Sequence, residues 1–174
     1  MNSLNPRAWA AAAICVLIAA AALSGCSTGQ QSQTAIMEPA VNGSMTTLNN
    51  IALRNIRIRA KQTGYALQPG KTVYLALVAT HQSPDTADVL VAVTSDIGAV
   101  TLVGNTAIPA GGILIIDSPD RLVHAGALAA VKPAKTATAT VILTKPISDG
   151  LIYEFTFQFA HAGEITVGVP VSAD

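Results

Sequence analysis

The segment LIYEFTFQF, residues 151–159, decides the fold because a large apolar side chain recurs at every second position. Strict alternation of apolar and polar residues is the pattern of a β-strand that buries one face. The odd-numbered residues from Leu151 to Phe159 share that face, and four of them are aromatic. We interpret these aromatic side chains as the core of one sheet rather than as a ligand cage.

Further strand candidates lie on the N-terminal and C-terminal sides of this segment. Some alternate and others are nearly continuous apolar runs: Ile51–Ala60, Val73–Ala79, Val89–Val93, Val100–Val103, Ile113–Ile116, Thr136–Leu143 and Ile165–Val171. Turns rich in Gly, Pro and Asp separate them, a spacing that indicates an antiparallel sandwich or barrel. We predict an all-β domain of about eight strands over residues 49–174, with at most a short helical turn within Val123–Lys135.

The N-terminal segment predicts export. Eighteen apolar or small residues without a charge, Ala8–Gly25, follow Arg7. This length could nearly span a bilayer as a retained helix, but its position and its small C-terminal residues are typical of a signal peptide. We therefore predict that residues 1–25 form a signal helix that is removed.

The residues Leu23-Ser24-Gly25-Cys26 resemble the lipobox of bacterial lipoproteins. The resemblance implies cleavage before Cys26, acylation of its thiol and residence at the extracytoplasmic side of the cell membrane, since two acyl chains anchor a protein stably. An exported protein without lipid is the alternative. The following residues, up to 48, are rich in Ser, Thr, Gln and Gly, which predicts that residues 26–48 form the lipidated Cys26 and a flexible tether.

Composition narrows the function classes. The 174 residues carry 10 basic and 10 acidic side chains, and only 11% are charged. This balance argues against nucleic-acid binding, which depends on Lys and Arg at phosphates. Neither a Walker nor a His-Glu-x-x-His motif occurs, so we assign no catalytic group and expect no enzyme.

Three stretches resemble the periplasmic copper-chaperone PCuAC family: residues 72–96 (TVYLALVATHQSPDTADVLVAVTSD), 107–116 (AIPAGGILII) and 145–171. The resemblance implies a cupredoxin-like Greek-key sandwich. The whole chain also resembles a mycobacterial branch of lipoproteins related to that family, for which the resemblance implies no defined activity.

The resemblance places the family's copper ligands, His and Met, in two segments of this chain. They are Ser95–Thr106 and Thr136–Leu143, and neither contains His or Met. We therefore expect no metal site and no cofactor. The alternative is a weak copper site, because Cu(I) prefers imidazole and thioether donors. It would need two of the histidines of three predicted loops, His81, His124 and His161, to meet a tether methionine, Met37 or Met45.

One cluster of charge stands out: Arg54, Arg57, Arg59 and Lys61 fall within eight residues of a predicted strand. They are interpreted either as a solvated strand face that discourages edge pairing or as a contact surface for anionic lipid, an envelope polymer or a protein. The sequence thus favours a non-catalytic binding or accessory module anchored in the envelope, with a copper chaperone as the second hypothesis.

Overall fold

A computed structural model describes residues 43–62, 64–123 and 133–173. Within these ranges the chain forms ten strands and one short helix: β1 (Ser44–Leu48), β2 (Ile51–Ala60), β3 (Thr72–His81), β4 (Asp88–Ser95), β5 (Gly98–Gly104), β6 (Ala107–Ile108), β7 (Ile113–Ile116), α1 (Pro119–Leu122), β8 (Ala134–Leu143), β9 (Ile152–Phe159) and β10 (Glu164–Ala173). The all-β prediction is confirmed. No helix in these ranges is long and apolar enough to cross a membrane.

The strands form one sheet that closes on itself like a barrel. Its order is β1-β2-β10-β9-β4-β5-β8-β3-β7, and β2 also pairs with β3, which joins the two halves. At one end β7 is inserted between β3 and β8, and β6 adds to β4. Only glycine fits at the start of β5, because a Cβ on Gly98 would lie 2.3 Å from the carbonyl oxygen of Ile142 on β8.

The pairing differs from the prediction in two ladders. Most ladders are antiparallel as predicted, but β10 pairs with β2 and β7 pairs with β8 in parallel. Parallel strands need a crossover connection rather than a tight turn, so no turn signal marks these two pairs. The strands also outnumber the predicted eight, because β1 and β6 were not foreseen.

The predicted tether, residues 26–48, is too long at its C-terminal end, because Ser44–Leu48 form the strand β1. Ser44–Leu48 pair with β2, and Leu48 packs against the core. The segment is short and mostly polar, so composition alone indicated a linker. Pairing along the edge of β2, rather than local hydrophobicity, makes it a strand. The signal peptide, Cys26 and the rest of the tether lie outside the described residues.

The core matches the alternation of the aromatic segment. Phe155 and Phe157 are fully buried and Phe159 nearly so. Tyr153 is half-buried, and its hydroxyl accepts a hydrogen bond from the Ser148 amide at 3.0 Å. Leu151, predicted on the same face, instead lies before β9 and is exposed, because it belongs to the turn that precedes the strand. The predicted helical turn in Val123–Lys135 falls mostly outside the described residues.

Two groups of loops lie at opposite ends of the β2–β3 pair. The "tyrosine end" consists of residues 61–71 and 144–151, joined through the paired backbones of Leu67 and Ile147. The "histidine end" consists of residues 82–87 and 160–163, together with the β1–β2 turn at Asn49 and Asn50. Each strand of the β2–β3 pair, about 33 Å long at 3.3 Å per residue, runs between these two ends.

Candidate functional site

The basic cluster lies on β2 with the predicted alternation. Ile56, Ile58 and Ala60 are buried in the core, so Arg57 and Arg59 project from the opposite face. Across a bulge, Arg54 Nη1 donates hydrogen bonds to the carbonyl oxygens of Thr46 at 2.7 Å and of Leu53 at 2.8 Å. Arg54 therefore fastens β1 to β2, while Lys61 is exposed beyond the strand. Lys61 is exposed, whereas Arg54 and Arg57 are both half-buried.

The burial of Arg59 contradicts the interpretation of the basic cluster as a solvated strand face. Its side chain is only 4% exposed, and Nη1 lies 3.3 Å from Asp117 Oδ1. Asp117 follows β7, and its carboxylate also accepts a hydrogen bond from the Ser118 amide at 2.8 Å. An ion pair between the buried guanidinium and the half-buried carboxylate holds the two groups together, so the four cations do not form one exposed surface.

A pocket of about 450 Å³ opens at the histidine end. Its walls come from the β1–β2 turn, the end of β3, the loop before β4 and the β9–β10 turn: Asn49, Asn50, Ile51, His81, Thr86, Ala87, Asp88, His161 and Ala162. Two of the histidines considered from the sequence therefore line one pocket. His124 lies outside the described residues.

His81 is placed differently from its prediction. It was expected in a solvated loop, but it is the last residue of β3, pairs with Ile51 across the ladder and is 7% exposed. Its Nδ1 accepts a hydrogen bond from the Ser83 amide at 3.2 Å. In the neutral tautomer the proton is then on Nε2, which can act as a donor. His161 does lie in a turn, with a side chain that is 78% exposed.

Asp88 organises the pocket, and sequence reasoning missed this role. Its carboxylate, 2% exposed, accepts hydrogen bonds on Oδ1 from the amides of Val89 (2.7 Å) and His161 (3.0 Å), and on Oδ2 from Ala162 (2.9 Å). Asn49 Nδ2 donates to the Ala162 carbonyl oxygen at 3.1 Å from the other side. The β9–β10 turn, which carries His161, is thereby fixed against β4.

The protonation of Asp88 reflects two opposing effects. Burial alone would raise the pKa of this carboxyl group, because it disfavours the charged form. The amides of Val89, Ala162 and His161 and the His161 side chain favour the carboxylate, and their combined effect holds the pKa of Asp88 below its ordinary value of 3.8. Asp88 is therefore a carboxylate at neutral pH, committed to three backbone donors.

The described residues contain no group of three or more His, Cys, Asp or Glu side chains that could hold a metal ion. The two segments to which the resemblance assigned the family's ligands do meet, since β5 pairs with β8 along its length. Thr101 and Val103 face Thr140 and Thr138 there. Hydroxyl and methyl groups offer Cu(I) neither imidazole nor thioether.

Comparison with known proteins identifies the family. The family model "LpqE-like: Putative lipoprotein LpqE-like" matches residues 51–171. The chain belongs to the LpqE-like family. It is 53% identical to "Putative lipoprotein LpqE" of Mycobacterium tuberculosis (strain ATCC 25618 / H37Rv) over 181 aligned positions, which cover 99% of this chain and 96% of that protein. Identity to the Mycobacterium leprae (strain TN) protein of the same name is 52%, covering 88% and 83%.

Solved structures similar to this LpqE-like chain are PCuAC domains. "Apo PCuAC domain from PmoF1" superposes with a TM-score of 0.57 at 18% identity, covering 75% of this chain and all of that one. "Copper-bound PCuAC domain from PmoF2" superposes with a TM-score of 0.54 at 19% identity, covering 75% and 99%. At these identities the likeness establishes a fold shared with PCuAC domains, while the Greek-key sandwich that the resemblance implied stays a prediction.

Proposed function

We propose that this LpqE-like protein is a lipid-anchored lipoprotein of the cell envelope that acts as a non-catalytic binding or accessory module. The observation that carries the proposal is 53% identity, over nearly the full length, to a protein described as a lipoprotein. The lipobox-like residues Leu23 to Cys26 support it. The anchor would hold the barrel at the extracytoplasmic side of the membrane, where it would meet an envelope protein, lipid or polymer.

The geometry of the histidine pocket supports binding rather than catalysis. Asp88, the acid among the residues that line this pocket, accepts hydrogen bonds from backbone amides on both oxygens and so has little capacity left to accept a substrate proton. The other polar groups, including Asn50, Thr86 and His161, are exposed donors and acceptors at its rim. Such a site suits recognition of a polar ligand or partner segment.

We predict that Cys26→Ala, in a chain whose residues 1–25 are replaced by a secretory signal peptide that is cleaved without a lipobox, abolishes incorporation of a fatty-acid analogue and moves the protein from the membrane fraction to the soluble fraction. The reason is that stable anchoring requires two acyl chains, each buried CH₂ contributing about 0.8 kcal/mol. The measurement is metabolic labelling with fractionation of the producing cells. Cys15→Ala is the matched control and should remain labelled and membrane-bound. Retention of Cys26→Ala in the membrane would contradict the anchor.

A second candidate function is an extracytoplasmic copper chaperone with a degenerate site. It is favoured by the PCuAC fold and by the two imidazoles that line one pocket. We expect the full chain carrying Cys26→Ala to bind Cu(I) more weakly than micromolar in a calorimetric titration, because neither thiolate nor thioether joins these imidazoles in the described residues. Tighter binding that is lost in both His81→Ala and His161→Ala would instead support the chaperone.

A further inference from the structure

Strand β5 has an open edge. On one side it pairs with β8 from Gly98 to Gly104, in a register without a bulge. On the other side it pairs with β4 only between Gly98 and Ser95, at the turn that joins the two strands. Beyond this turn β4 pairs with β9 instead. Within the described ranges, no strand therefore covers the second edge of β5 from residue 99 to residue 104.

Hydrogen bonds to β8 show which backbone groups the open edge presents. Hydroxyls of two β8 threonines donate to the carbonyl oxygens of Thr101 at 3.5 Å and Val103 at 3.4 Å, so these two carbonyl groups point towards β8. In an antiparallel ladder the residues that bond to a given neighbour alternate along the strand. The N–H and C=O groups of Val100 and Leu102 therefore point away from β8, towards the open edge.

The edge of β5 lacks the features that keep exposed strand edges from pairing. Proteins protect such edges with charged side chains, proline, bulges or very short strands. The seven residues of β5, GAVTLVG, include neither a charge nor a proline. By contrast, β1 has five residues and a bulge between Ser44 and Thr46, and β4 has a bulge between Leu90 and Ala92 and pairs with β6 at its start. Among the described strands, β5 is the one most open to a further strand.

The sequence of β5 is suited to pairing with itself. An antiparallel pair of β5 strands centred on Thr101 sets that residue against its own copy. Ala99 then lies opposite Val103, and all three are exposed, Val103 at 60%. Val100 lies opposite Leu102, and both pack against the core, so the matching faces of the two sheets meet. Uncharged cross-strand pairs of this kind stabilise a sheet, whereas like charges would destabilise it.

This register also satisfies the backbone groups of the open edge. The outward N–H and C=O groups of Val100 in one copy meet those of Leu102 in the second copy, and the reverse pair forms across the twofold axis. Buried backbone groups are paired in almost every case. Thr101 lies between these two hydrogen-bonded pairs, at a position where directly opposite Cα atoms approach to about 4.5 Å.

The symmetry of the register favours a second copy over a different protein. A strand of an unrelated protein would not require β5 to match its own reversed sequence in charge and in facing side chains. Each copy offers one such edge, so a twofold pair uses both edges and the assembly closes at two. The first described strand, β1, does not interfere, because its partner β2 is three strands from β5 through β3 and β8.

We propose that two copies of this protein associate through β5. The two open edges pair antiparallel about a twofold axis at Thr101 and join the two β5–β8–β3 sheets into one. Neither the Cys26 anchor nor the histidine pocket contributes to this contact, so it goes beyond the proposed function.

A disulfide tests the register. The mature chain with Cys26→Ala, secreted behind a signal peptide without a lipobox, has no cysteine. Thr101→Cys introduces one at the twofold axis, within the Cα separation of about 4.4–6.8 Å that a disulfide needs. Ala99→Cys is the matched control, because it lies about 13 Å along the strands from its own copy. We expect Thr101→Cys to form a disulfide-linked dimer severalfold faster than Ala99→Cys, and Ala99→Cys to form one when mixed with Val103→Cys.

Sedimentation equilibrium tests the contact without a cross-link. Thr101→Lys sets two like charges across the axis and should raise the Kd of the dimer about tenfold or more. An equal mixture of Thr101→Lys and Thr101→Glu should restore the association. Thr166→Lys, at an exposed threonine of β10, is the control and should leave the Kd unchanged. A monomer at every concentration, with Thr101→Cys no faster than Ala99→Cys, would overturn the proposal.

A third arm uses the acylated chain carrying Thr101→Cys in the producing cells. We expect this variant to be recovered as a disulfide-linked homodimer whose mass is twice that of the acylated chain. A disulfide to a different protein in place of the homodimer would assign the edge to that protein and would overturn the second copy as its partner.

Discussion

Replacing Asp88 by alanine is expected to lower the free energy of unfolding by about 3–5 kcal/mol, because three backbone amides lose a charged acceptor. The amides of Val89, His161 and Ala162 all donate to this carboxylate. Asp88→Asn should cost less, about 1–3 kcal/mol, since one oxygen remains while the new amide nitrogen faces an N–H donor. Urea unfolding of the chain carrying Cys26→Ala measures both changes.

The effect of Asp88 should also depend on pH. The pKa of Asp88 lies below its ordinary value of 3.8 in the folded protein, so the folded state binds its proton less readily than the unfolded state. The stabilisation is therefore complete above the unfolded value and is lost as the pH falls through the folded value. The difference between the native side chain and Asp88→Asn should be constant near neutrality and shrink as the pH falls below about 3.8.

Asp85→Asn provides the matched control for both experiments. Asp85 is an exposed carboxylate in the same loop, and its replacement should change the free energy of unfolding by no more than about 0.5 kcal/mol. If Asp88→Ala were equally neutral, the carboxylate would not be what fixes the β9–β10 turn.

The parts of the fold that the sequence predicted are those encoded by local periodicity. The alternation in Leu151–Phe159 identifies β9 and its buried aromatic face, because successive side chains of a strand point to opposite sides. Neither parallel ladder can be joined by a tight turn, whether its strands are distant in the chain (β2 and β10) or consecutive (β7 and β8), so no local pattern specifies the neighbour. Ser44–Leu48 became a strand only because β2 offered an edge to pair with.

The candidate site was predictable only in part, for the same reason. His81 is followed by Gln, Ser, Pro and Asp, so the segment was assigned to a loop, although His81 itself still pairs with Ile51. Asp88 directly precedes an apolar run, so the sequence predicts that it lies where a loop enters a strand. The sequence does not indicate that its carboxylate binds the β9–β10 turn. Two of the three amides it holds, those of His161 and Ala162, are more than 70 residues away in the chain.

Replacing Arg59 by alanine is expected to lower the free energy of unfolding by about 2–4 kcal/mol, because the half-buried Asp117 carboxylate loses its buried counter-ion. The Arg59 and Asp117 side chains are 4% and 19% exposed. Arg59 lies between Tyr74 on β3 and Ser172 on β10 in the sheet register. Removal of its side chain therefore also removes packing where three strands meet.

A double-mutant cycle separates the ion pair from this packing. Asp117→Ala alone should also destabilise the protein, and the double variant should be less destabilised than the sum of the single variants, by about 0.5–3 kcal/mol. The double variant Arg59→Met with Asp117→Leu should recover much of the lost stability, because apolar groups of similar size often replace a buried ion pair without loss.

Lys61→Ala, at the exposed cation two residues away, is the control and should change the free energy of unfolding by no more than about 0.5 kcal/mol. Strictly additive effects at Arg59 and Asp117 would show that the two side chains are not coupled. The measured coupling energy therefore decides whether Arg59 of β2 stabilises the fold through Asp117 or is available to bind a partner.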